Sequence, residues 1–228
     1  MPRLTRAQRQ EQTRVELLEA ARRRFLTHGY AATSLDDIAE DAGYSKGAVY
    51  SNFGSKPNVC RAVLELIHRE KFGEIAEVAT ADADLDSRIA ALNTWFDATV
   101  GDVGWTMLEL EFVVLSRNNP ELTDMITALR EEAARSVAGV LRTLAADLGI
   151  DESSAVAAGL DDVGNLLLSA GIGLGIQRAI DPSVPARPAT DAIRYLLNML
   201  GGYPRSNVNA PGTAETVTGS GQAKSPSA

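Results

Sequence analysis

Apolar residues recur at three- and four-residue spacing through most of this chain, and no stretch alternates as a strand would. The first run places Val15, Leu18, Ala21 and Phe25 on one face. It predicts a helix from a Thr5/Gln8 capping box to about His28, ended by Gly29. A short second helix follows Ser34, with Leu35, Ile38, Ala39 and Ala42 at helical spacing, and a third covers Lys46–Phe53 behind Ser45. A fourth, capped by Ser55 with Pro57 in its first turn, runs to about Ala79. After a polar loop at 80–86, helices are expected over about Ser87–Val100, Trp105–Arg117, Glu121–Leu148, Glu152–Ile180 and Ala189–Leu200. Gly101 to Gly104 read as a break before the sixth, and Ile193, Leu196, Leu197 and Leu200 form a stripe on the last. Residues 203–228 hold Gly, Ser, Pro, Thr and Ala with little to bury, and are expected to be disordered. The expected fold is all-α with about nine helices: a three-helix head (1–56), a larger helical body (57–202) and the tail.

Three positions between Ser34 and Lys56 say more than periodicity does. Ala39 is small enough for a second helix to cross close by. Gly43, four residues on, permits a left-handed turn, and Val49, six further, plugs the angle between the helices. This is the helix-turn-helix pattern, whose second helix enters the DNA major groove. Together with Gly29-Tyr30, Thr33-Ser34, Ile38-Ala39, Ala42-Gly43, Ser45-Lys46-Gly47, Tyr50, Phe53 and Ser55-Lys56, the segment resembles the TetR/AcrR family of bacterial transcriptional regulators. The resemblance is close over about residues 10–65; beyond, helix lengths and order agree but the sequence only loosely. The third helix offers Tyr44, Ser45, Lys46, Gly47, Tyr50, Ser51 and Asn52. The resemblance implies Tyr50 and Lys56 on phosphates and Tyr44, Ser45 and Lys46 near base edges, chemistry their hydroxyls and ammonium groups suit. Thr33 offers a further phosphate bond, Gly47 lets the backbone approach the groove, and Phe53 is expected in the core.

Net charge is −8, unusual for a DNA binder, but it is unevenly spread. Residues 1–56 carry nine Lys/Arg against seven Asp/Glu, and the remainder thirteen against twenty-three. A mildly basic head on an acidic body fits a few phosphate contacts, not wrapping by the body. Arg22, Arg23 and Arg24 read as a solvated face. The single Cys60 excludes an internal disulfide and reads as a buried small hydrophobe, or else a redox sensor. The polar first fourteen residues do not read as a signal peptide, and the apolar run near Leu166–Ile176, interrupted by Ser169, reads as too short for a bilayer. A cytoplasmic location and no membrane partner are expected. No nucleophile, histidine and acid stand at useful spacing, and no Cys/His cluster would hold zinc. His28 and His68 are expected at the surface. Neither an enzyme nor a cofactor is expected.

On the sixth helix Trp105, Phe112 and Ser116 cluster with Glu109 among them. An acid in an aromatic stripe needs a partner. One reading is a salt bridge to an arginine of a neighbouring helix. The other is a ligand pocket walled by Trp105 and Phe112, anchored by Glu109 and completed by Asn93, Trp95, Phe96, Asn165 and Ser169, taking an apolar or a cationic molecule. The resemblance implies an inducer pocket in this region. Gly171, Gly173 and Gly175 are not a dinucleotide fingerprint, since no strand precedes them; they suit close helix approach, either across a dimer or within one subunit. The resemblance implies a dimer interface of the last two helices, here Gly171, Gly175, Ile193, Leu196, Leu197 and Leu200. The expected function is a homodimeric repressor on a palindromic operator in double-stranded DNA, released by a small-molecule inducer. The alternative is a DNA-binding regulator controlled by a protein partner or by no ligand, which a filled body would favour.

Overall fold

A computed structural model describes residues 5–150 and 155–201, with the side chains of 155–158, 197, 198, 200 and 201 outside the description. The expected tail at 203–228 lies outside the described residues. Among these there are nine helices and no strand, as the all-α reading requires: α1 (Arg6–Ala32), α2 (Leu35–Ala42), α3 (Lys46–Phe53), α4 (Lys56–Thr80), α5 (Leu85–Thr99), α6 (Val103–Ser116), α7 (Pro120–Ala146), α8 (Ala155–Ile180) and α9 (Arg187–Gly201).

Local capping chemistry sets most of the boundaries. Thr5 and Gln8 form the expected reciprocal box at the start of α1, and Ser34 with Asp37 forms a second at α2. Gly29 leaves the helical region (φ 82°, ψ 170°), which separates the body of α1 from a last short turn. The buried stripe of α1 is Leu17, Ala20, Ala21 and Phe25; Val15 faces solvent, because the stripe is centred two residues further on than the pattern suggested. Asp84 caps α5 and Asp102 caps α6, so both helices begin two residues earlier than periodicity indicated. Gly104 therefore lies inside α6 and is no breaker. A Cβ there would sit 2.7 Å from the Leu26 carbonyl, so this glycine is what lets α6 lie against α1.

Helix α4 joins the two parts. Its first half buries Val59, Cys60, Val63, Leu64 and Ile67 in one cluster with Leu17, Phe25, Ile38, Val49 and Phe53 of the head and Leu108 and Phe112 of α6. Its second half puts Ile75 and Ala79 into a separate cluster with Ile89, Leu92, Leu144 and Ile193. Helix α7 packs along both α4 and α8, and α5 along α9, while α6 runs between α1, α7 and α8. The head core thus continues into the body through α4 and α6. Cys60 is fully buried, and burial pushes its thiol well above the usual range, as suits a small core hydrophobe.

Candidate functional site

The turn between α2 and α3 follows from three residues. Gly43 adopts the left-handed conformation (φ 73°), and its N–H donates to Ala39 and Glu40 carbonyls while Tyr44 N–H donates to Ala39 at 2.8 Å. Ala39 and Val49 are buried between the helices. Ser45 caps α3, accepting from Ala48 N–H at 3.3 Å. With Val49 and Phe53 turned into the core, the opposite face of α3 presents Ser45, Lys46, Gly47, Tyr50 and Ser51 to solvent. Arg14 secures the end of α3 by donating to the Asn52 carbonyl at 3.0 Å, with its guanidinium 4.6 Å from the Phe53 ring centre. A Cβ on Gly47 would meet only Ser45 Oγ at 3.7 Å, so nothing inside the protein demands a glycine at this exposed spot.

The side chains expected at DNA differ in freedom. Tyr50 is 49% exposed. Lys46 reaches back 2.7 Å to Asp36, which raises the pKa of its ammonium group, yet both side chains are mostly exposed and free to exchange partners. Tyr44 donates to Glu16 of α1 at 2.7 Å and holds that carboxyl below its usual range. Ser51 donates to its own helix at Ala48. Two residues are placed differently from expectation. Thr33 is buried, with its hydroxyl donating to Gly29 carbonyl at 2.8 Å, so it closes the α1 break and presents nothing outward. Lys56 turns inward, 3.3 Å from the Ala31 carbonyl and 4.3 Å from the Tyr30 ring centre, and burial lowers its pKa.

The body encloses a cavity of about 260 Å³, lined by α4 through α9 and almost wholly apolar. Of the residues proposed for a pocket, Trp95, Phe96, Trp105 and Glu109 lie in its wall. Phe112 does not: it is fully buried against Tyr30 at 5.8 Å, because the α6 stripe straddles two neighbours and this position falls on the head side. Asn93 accepts from Thr190 of α9 at 2.8 Å. Asn165 accepts from Arg130 at 3.3 Å, and Ser169 donates to Asn165 carbonyl on the outer side of α8. None of these three reaches the cavity. Trp95 donates to Glu74 at 2.7 Å and lowers its carboxyl pKa.

Glu109 has a partner, but not an arginine. It hydrogen-bonds His68 Nε2, and both line the cavity. His68 was expected at the surface; its side chain is 12% exposed. The signal for it was available, since Leu64, His68, Phe72 and Ile75 form one inward stripe of α4 at spacings of four, four and three. Glu111 carries no signal in the apolar pattern. Two residues from Glu109, on the opposite side of α6, it accepts from the Tyr30 N–H and, at 3.4 Å, the Ala31 N–H just past the α1 break. Helix α6 therefore touches the cavity with Glu109 and the head with Leu108, Glu111 and Phe112.

The residues assigned to a dimer interface divide. Ile193 is buried with Ile75 and Leu92, and Gly175 is buried in the cavity wall, where a Cβ would lie 3.8 Å from Thr106 Oγ1; both pack within the subunit. Gly171 also lines the cavity and Leu196 is half-buried. The side chains of Leu197 and Leu200 lie outside the described residues. The outward apolar groups of α8 and α9 are instead Leu166 (68% exposed), Ile180, Tyr195 and Met199 (80%). The segment Gly159–Ile180 is long and apolar enough to span a bilayer by length and composition, contrary to the shorter run read from sequence, and only 11% of its apolar window is buried. Its apolarity serves a cavity wall on one side and an uncovered face on the other.

Residues 17–63 match the family model of bacterial regulatory proteins, tetR family. Over 86 residues the chain is 38% identical to the HTH-type transcriptional regulator TtgR of Pseudomonas putida, covering 38% of this chain and 40% of that protein. The chain thus spans about two fifths of the length of such curated relatives. Among solved structures, Salmonella enterica GusR superposes with a TM-score of 0.62 at 20% identity over 89% of this chain and all of that one, which speaks to fold alone. A SmeT–triclosan complex superposes with a TM-score of 0.57 at 27% identity, covering 90% of this chain and 98% of that one.

Proposed function

We propose that this chain, whose residues 17–63 match the tetR family model of bacterial regulatory proteins, is a ligand-responsive, DNA-binding repressor of that family. Helix α3 enters the major groove with Tyr44, Ser45 and Lys46 near base edges and Tyr50 on a phosphate, and Gly47 lets the protein backbone approach the groove closely. Two copies pair through the uncovered apolar face of α8 and α9, and their heads contact half-sites about one helical turn, roughly 34 Å, apart on a palindromic operator in the cytoplasm. A small apolar molecule enters the cavity and favours a head arrangement with lower operator affinity, by binding the two arrangements unequally.

The single observation that carries this reading is α6, which puts Glu109 in the cavity wall and Glu111 on the Tyr30–Ala31 N–H groups of the head. A ligand that displaces α6 by its Glu109 side disturbs the contact that seats α1, and α1 carries the reading helix through Arg14 and Tyr44. A relative of this fold holds a small molecule, triclosan. Control by a protein partner alone would leave the cavity without a role. Selection of bound sequences from random duplex DNA tests the reading: a palindrome with half-sites one turn apart is expected, and enrichment of a single half-site or of no sequence contradicts it.

A further inference from the structure

Two ring nitrogens on cavity-lining residues are buried without a hydrogen-bond partner, His68 Nδ1 and Trp105 Nε1. Buried polar atoms are rarely left unpaired, and each such exception asks for a missing partner. The two rings are neighbours, with centroids 6.1 Å apart at an interplanar angle of 71°. Their chemistry differs. The indole N–H of Trp105 can only donate. On His68, Nε2 faces the Glu109 carboxylate, which when ionised can only accept, so Nε2 carries the hydrogen. In the neutral ring Nδ1 is then left with a lone pair and can only accept. One unused donor and one unused acceptor thus belong to adjacent rings of an otherwise apolar enclosure.

A hydroxyl group answers both. We propose that the cavity takes an uncharged, mainly apolar molecule bearing a hydroxyl, a phenol or a compact alcohol, which donates to His68 Nδ1 and accepts from Trp105 Nε1. This inference rests on the reading of the cavity as a ligand site. A cation is a poorer fit than the sequence suggested, because the Glu109 carboxylate is already engaged by His68. A carboxylate would meet the Trp105 donor but would set its own charge against the His68 lone pair and Glu109. An aromatic ring on the ligand continues the edge-to-face set of Phe72, His68 and Trp105. The volume of about 260 Å³ lies just under the roughly 300–1,000 Å³ of drug-sized pockets, which suits a molecule of one or two rings.

Calorimetric titration of the full chain with five probes of one shape decides the matter: 4-propylphenol, 4-propylanisole, propylbenzene, 4-propylbenzoate and 4-propylbenzylamine. The phenol is expected to bind about tenfold or more tightly than the anisole, which can accept but not donate, and than propylbenzene, which does neither. In H68F and in W105F that advantage shrinks to within about threefold while propylbenzene binding persists. Should either variant fail to fold, the unmodified chain still decides through the phenol–anisole comparison. Equal binding of phenol and propylbenzene, or tightest binding of the benzoate or the benzylamine, overturns the hydroxyl assignment and leaves the cavity reading in place. Binding of none of the five overturns the cavity reading and this inference with it.

Discussion

Replacing Glu111 with alanine perturbs the join between α6 and the head at one point. Its carboxylate accepts from the N–H of Tyr30 and, at 3.4 Å, from that of Ala31. Those donors follow the Gly29 break (φ 82°), where regular intrahelical pairing of α1 has been interrupted. The site is partly buried, so water only partly replaces the lost acceptor. A hydrogen bond to a charged group contributes about 1.5–3 kcal/mol, and the longer second contact adds little, so E111A should cost about 2 kcal/mol. For a chain of this size each kcal/mol moves the unfolding midpoint by roughly 2–4 °C, which gives a fall of roughly 4–8 °C. E111Q keeps an acceptor oxygen without the charge and should fall about half as far. Scanning calorimetry reads the stability, and fluorescence anisotropy on operator DNA with and without a bound cavity ligand reads the coupling. With that contact gone, E111A should bind operator more weakly without ligand, toward the affinity of the ligand-bound unmodified chain, and should lose most of the ligand's effect. An unchanged midpoint together with an unchanged ligand effect would refute the role given to this contact.

Two further outcomes follow from other parts of the molecule. Joint substitution L166E and M199E, on outward faces of α8 and α9, should turn a dimer into monomers in sedimentation and sharply weaken operator binding; a variant that stays dimeric, or an unmodified chain that is monomeric at micromolar concentration yet binds tightly, contradicts the pairing. Acid should weaken the head: Asp41 is held below the usual carboxylate range by its bond to Arg24, Asp37 by Ser34 and Glu16 by Tyr44. Because these folded-state values are depressed, their stabilisation is present above the ordinary carboxylate range and is lost as pH falls through and below about 4. D41N should show a shallower loss over that window, and an identical slope in thermal melts would argue against the Arg24–Asp41 pair.

The helix-turn-helix was legible because its determinants are local. Ser34, Asp37, Gly43 and Ser45 act on backbone groups within five residues of themselves, and the structure places each as spacing alone suggests. The cavity was legible in part. Trp95, Phe96, Trp105 and Glu109 carried a signal in their crowding, but Phe112 shares their stripe and faces Tyr30, since which neighbour covers a given arc of α6 is decided by tertiary packing. His68 reads as a surface residue when taken singly, although its neighbours on α4 mark an inward stripe. Thr33 and Lys56 looked like phosphate ligands until the Gly29 break gave their polar atoms nearer partners. For α8, periodicity shows an apolar helix but not which of its faces lines the cavity and which stays uncovered.

The most direct test of the central claim is an anisotropy titration of the selected operator with the unmodified chain, K46A and Y50A. Both side chains stand on the outer face of α3 and neither supports the core, so circular dichroism and melting midpoint should hold while each variant loses about 1–3 kcal/mol of binding where its contact reads a base. Folded variants that bind the operator as tightly as the unmodified chain would contradict α3 as the reading element, and with it the account of this protein as an operator-binding regulator.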